Sequence, residues 1–162
     1  MNWLRRAIGV IFALAIAFGA GLIFVPIAII ADPVTRAAAF AFTQIALWGV
    51  DLDLADGGGS SSIDLIVDLA WVVLVTVSAL PVAVIGLIGE FARVRTFYWY
   101  AGGTALVAAA SPWFIRLGLH LPRAGQYNMA ELRFALIFFF GGLLSGSIYW
   151  LLAGRNAGLR LR

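Results

Sequence analysis

The chain has no cysteine and no lysine, a single histidine and little charge of either sign. Without thiols there is no disulfide, no thiolate nucleophile and no cysteine-ligated metal. His120 alone makes neither a metal centre, which needs several ligands, nor a catalytic pair, which needs a nucleophile in reach. Charged residues are 12% of the 162 positions, about half the quarter typical of a soluble domain. All 11 basic residues are arginines. They are scattered at segment ends and form no stripe, so the net charge of +3 does not point to nucleic acid.

What is present is apolar length. The chain is 63% hydrophobic, with a mean hydropathy of +1.00. That composition, with long uncharged runs, predicts one integral membrane domain over residues 1–162 and no separate soluble one. Phe134 to Ala153 is the clearest run: no charge, with Arg133 before it and Arg155 after it. As a helix it is about 30 Å long, the thickness of the hydrocarbon core of a bilayer. Gly141, Gly142, Ser145 and Gly146 form two small-xxx-small pairs in its middle. Such pairs let helix backbones approach closely where lipid is the solvent. Tyr149 and Trp150 mark an interfacial end.

Three more segments read the same way. Residues 7–31 are an uncharged run after Arg5 and Arg6. The run exceeds the roughly 7–15 apolar residues of a signal peptide, so a retained anchor is expected. Residues 63–89 form a second span, entered through Asp64 and Asp68 and bent by Pro81. Residues 97–119 form a third, opening on Phe97, Tyr98, Trp99 and Tyr100, an expected aromatic belt. Ala101, Ala105 and Ala109 follow at helical spacing as a packing face. The last span is 133–153. Glu90 to Thr96 reads as a loop, as does the stretch holding His120, Pro122, Arg123 and Glu131.

The segment 34–50 is too short to span and fits an interfacial or re-entrant amphipathic helix. Residues 51–62 contain three glycines and three serines and predict a flexible loop. Asp51, Asp53 and Asp56 alternate like a calcium loop, but Gly57 is misplaced and the twelfth-position glutamate is missing. The expected fold is therefore all-α: a membrane four-helix bundle with an extra helix between spans one and two. Four crossings put both termini on one side. That side carries Arg5, Arg6, Arg93, Arg95, Arg155, Arg160 and Arg162, against Arg36, Arg116, Arg123 and Arg133 opposite. The arginine excess predicts cytoplasmic termini. The closing segment GGLLSGSIYWLLAGRNAG resembles that of many small bacterial inner-membrane proteins. The resemblance implies that location and no role.

Ionisable groups near spans are functional candidates. Asp64, Asp68, Arg116, His120, Arg123, Glu131 and Arg133 share the outer level. They suggest an outward polar cluster with an Asp68–Arg116 pair; the plainer reading is that each side chain snorkels to the headgroups by itself. No phosphate loop is present, and Ser111, Ser145 and Ser147 lack a base at usable spacing. No cofactor is implied. The expected role is a non-enzymatic accessory or assembly subunit in the bilayer, packed on another membrane protein or on itself. The rival is a homodimeric transporter of a small solute or ion.

Overall fold

The computed structural model describes residues 2–41, 43–44, 61–118 and 129–157. These are helical apart from short turns, with no strand among the described residues. Helix α1 is Asn2–Ala31, α2 covers residues 33–41, α3 is Ser61–Ala92, α4 is Phe97–Gly118 and α5 is Met129–Leu152. A short 3-10 turn, Gly154–Asn156, follows α5. Among the described residues, three helices are long and apolar enough to cross a membrane: Leu4–Ala31, Leu74–Ala92 and Met129–Leu152. The rest of the expected 34–50 segment and most of the 51–62 loop lie outside the described residues.

Several boundaries differ from the sequence reading. Helix α1 begins at Asn2, so Arg5 and Arg6 lie within it rather than before it. Helix α3 runs through Glu90 to Ala92, residues expected in a loop. Helix α5 starts at Met129, which makes Glu131 a first-turn residue, where a carboxylate suits the positive helix end. Pro26 and Pro81 are accommodated inside unbroken helices. Membrane helices tolerate proline where neighbouring groups satisfy the freed backbone.

The four long helices pack side by side, with successive ones antiparallel. Arg6, near the start of α1, meets Glu90, near the end of α3. Tyr100, at the start of α4, meets Tyr149, near the end of α5. Helix α5 touches α1, α3 and α4. Its small residues explain how. Gly142 and Gly146 face α4: a side chain at 142 would meet the Thr104 carbonyl at 2.7 Å and the Ala105 Cα at 2.9 Å. One at 146 would overlap the Tyr100 carbonyl oxygen. Gly141 and Ser145 face α1 instead, against Val25 and Gly21. Helix α1 answers with its own small stripe, since Ala13, Ala17, Gly21 and Val25 are buried at four-residue intervals. Its large side chains, including Ile8, Ile11, Phe12, Ile23 and Ile27, point outward. Small inside and large outside is the arrangement that packs backbones closely and leaves bulk to lipid.

The α3–α4 turn ends α3 in a Schellman pattern. Val94 N–H donates to Gly89 C=O at 2.9 Å and Arg93 N–H to Glu90 C=O at 3.3 Å. Arg93 sits at φ 55°, the left-handed position that glycine usually fills. The turn is pinned from outside. Tyr100 Oη donates to the Val94 carbonyl at 2.9 Å and Trp150 Nε1 to that of Arg95 at 2.8 Å. The expected aromatic belt is thus divided: Tyr98 is 85% exposed, while Tyr100 and Tyr149 are 0% exposed and belong to the core. Each ring has an acceptor or neighbour inside the fold, and that outweighs the general preference for the interface.

Candidate functional site

Polar side chains gather at the two ends of the helix cluster. At the end holding the start of α1, Arg6 Nε donates to Glu90 Oε2 at 3.2 Å, and Nη2 contacts the same oxygen. Tyr149 Oη lies 3.5 Å from the other carboxylate oxygen. The Arg6 and Glu90 side chains are only 30% and 15% exposed. Arg95 Nε donates to the Ala157 carbonyl at 2.6 Å, tying the α3–α4 turn to the chain beyond α5. One side chain each from α1, α3, α4 and α5 meets in this layer: Arg6, Glu90, Tyr100 and Tyr149.

At the opposite end the organising residue is Asp32. Its N–H donates to Ala28 C=O, closing α1, and its side chain opens α2. Thr35 N–H donates to Asp32 Oδ2 at 3.0 Å and Thr35 Oγ1 approaches the same atom at 3.2 Å. This is an N-cap, with Pro33 at the first helical position, where a missing N–H costs nothing. Arg133 Nη1 donates to Asp32 Oδ1 at 2.5 Å, joining α1 to α5. The Thr35 N–H, with help from the Arg133 guanidinium, holds the Asp32 carboxyl below its usual range against the opposing effect of burial.

Beside this pair lies a cavity of about 610 Å³. Asp32 and Arg133 are its charged lining residues; Ala109, Leu132, Ala135, Leu136 and Phe139 are among the apolar ones. It lies toward Arg133 from the point where Gly142 brings α5 onto α4.

The outer residues singled out from sequence are placed as follows. Arg133 pairs with Asp32, a partner the sequence reading did not include. Asp64 and Asp68 are exposed on the first turns of α3. Glu131 is half-buried in the first turn of α5. His120, Arg123 and the side chain of Arg116 lie outside the described residues, and the expected Asp68–Arg116 pair lies there with them. Of the packing residues, Ala101 and Ala105 lie against Gly146 and Gly142, and Ala109 lines the cavity. Among the described residues, no three histidine or acidic side chains come together as a metal site.

Sequence reasoning missed Glu90 and Asp32. Glu90 had a signal: it is the one acid on the side to which the sequence reading assigns seven arginines, so a partner among them was available. Asp32 had another, the Asp-Pro-Val-Thr order of a helix start. No family model, curated protein or solved structure matches the chain.

Proposed function

We propose that the protein is a multi-pass membrane protein that acts without catalysis, as an accessory or assembly subunit packed against a larger membrane partner. The observation that carries this reading is where the polar side chains go. Arg6, Glu90, Arg133, Asp32, Tyr100 and Trp150 all bond elsewhere in the same chain, and Gly142 and Gly146 close the α4–α5 interface. Chemistry inside the fold is spent on holding helices together. The outward surface is broad and apolar, and its use is contact with lipid and with other helices.

Four crossings follow from the same reading, with α4 as the fourth. At 22 residues it is about 33 Å long. Its modest apolarity comes from residues that suit packing: Tyr100 is buried, and Gly103 lies against Ile85 of α3. An even number of crossings and the arginine excess put both termini in the cytoplasm of a bacterial inner membrane. A reporter enzyme fused after Arg162 is expected to be active only if it requires the cytoplasm. Activity of a periplasm-dependent reporter there would overturn the topology.

The second reading, a homodimeric transporter of a small solute or ion, is favoured by one observation. The Ser78 and Thr104 hydroxyls are buried in the helix cluster with no hydrogen-bond partner. Against it, the uncharged runs of 7–31, 69–89 and 134–153 place no acidic residue at mid-depth, where coupling sites lie. Purification in mild detergent separates the two. The subunit reading expects a larger membrane protein to co-purify at fixed stoichiometry. A lone homodimer whose thermal stability responds to a solute would replace it with transport.

A further inference from the structure

We propose that the cavity beside Asp32 and Arg133 holds one acyl chain of an anionic phospholipid whose phosphate sits on the Arg133 guanidinium. Its volume of about 610 Å³ is within the range of ligand pockets, about 300–1,000 Å³. Its lining is almost wholly apolar, and its two charged residues, Asp32 and Arg133, are paired with each other at one place. That suits an amphiphile, with a head at the pair and a chain along the apolar lining. Along α5 the lining runs from Met129 to Phe139, and Phe139 lies six residues, about 9 Å along the helix axis, deeper than Arg133. The uncharged run of α5 begins at Phe134, so the pair lies at headgroup depth and the lining beyond it lies in the acyl region.

The pair selects the sign of the head. Both oxygens of Asp32 are engaged by the chain itself, Oδ1 by Arg133 and Oδ2 by Thr35. The carboxylate has little left for a cation. Arg133 uses Nη1 on Asp32, and its side chain is 45% exposed. Its remaining N–H donors form a fork suited to phosphate oxygens. Arg36, exposed in the first turn of α2, adds positive charge at the same end. Glu131 precedes Arg133 on α5 but does not line the cavity. This inference concerns a lipid site and stands whichever partner or solute the protein serves.

The test uses the full chain purified in a neutral detergent. Bound lipid is counted by native mass spectrometry during titration with phosphatidylglycerol, with phosphatidylcholine of the same chains, and with inorganic phosphate. One phosphatidylglycerol per chain is expected, held at least tenfold more tightly than phosphatidylcholine and not displaced by inorganic phosphate. Arg133→Gln should bring phosphatidylglycerol down to the phosphatidylcholine level. Ala109→Leu, which leaves the ion pair intact and fills the cavity, should weaken both lipids. Equal affinity for the two lipids overturns the proposal. So does phosphatidylglycerol affinity untouched by Arg133→Gln or by Ala109→Leu, or displacement by inorganic phosphate.

Discussion

Gly146→Ala is expected to lower the thermal midpoint of the detergent-solubilised protein sharply, and Gly146→Leu to prevent recovery of a monodisperse species. The added Cβ would overlap the Tyr100 carbonyl oxygen and come within 2.9 Å of the Ala101 Cα. Both are backbone atoms of α4, so no side chain can rotate away. The two helices would have to separate along their length, and Ala101, Ala105 and Thr104, all buried there, would lose their contacts. Overpacking typically costs about 1–3 kcal/mol, and a backbone clash belongs at or above the top of that range. For a chain of this size about 3 kcal/mol is roughly 6–12 °C in the midpoint. Gly102 provides the control. It is in the same helix pair, but a Cβ there meets nothing within 4 Å. Gly102→Ala should leave the midpoint unchanged or raise it slightly, because glycine costs up to about 1 kcal/mol in a helix interior. Equal effects at Gly146 and Gly102 would contradict the close α4–α5 contact.

The second large effect is expected at Glu90. Removing one member of a buried ion pair leaves the other charge in a poor solvent and costs about 3–5 kcal/mol. The Arg6 and Glu90 side chains keep 30% and 15% of their exposure, so about 2–3 kcal/mol is the fitting figure for Glu90→Ala. The loss also takes away the carboxylate facing Tyr149 and loosens the layer where four helices meet. The exchange Arg6→Glu with Glu90→Arg should recover part of the loss, measured by the same thermal midpoint. Arg133→Gln, at a side chain 45% exposed to solvent, should cost no more than about 1 kcal/mol. If it costs as much as Glu90→Ala, burial is not what separates the two pairs.

The long helices were legible because hydropathy is a local signal. The runs behind α1, α3 and α5 announce themselves over twenty residues or more. Helix α4 was legible in another way, through aromatic residues at its start and alanines at four-residue spacing. What was not legible is which residue meets which across the chain. Arg6 lies 84 residues from Glu90, and Arg133 lies 101 from Asp32. No periodicity links positions that far apart, and only packing decides among several arginines of equal charge. The paired acids were hidden for a further reason: each sits where one element ends. Glu90 was assigned to a loop because charge after an apolar run reads as the way out of a membrane, yet α3 continues past it. The inner stripe Ala13, Ala17 and Gly21 shows the same limit. Its four-residue spacing was visible, but a helix rich in alanine and isoleucine offers several faces, and only the position of α5 selects one.

The place of α5 also bears on biogenesis. Helices α1, α3 and α4 form a row in which α3 touches both neighbours, and α5 lies against all three. On the four-crossing reading proposed above, the ribosome makes α5 after the other three, and the row waits in the bilayer with its glycine- and alanine-lined seam filled by lipid or by the insertion machinery. The enclosing contacts of Gly142, Ser145 and Gly146 then form by displacing that temporary occupant. On that reading, whatever guides insertion keeps the three earlier segments adjacent until α5 has left the ribosome.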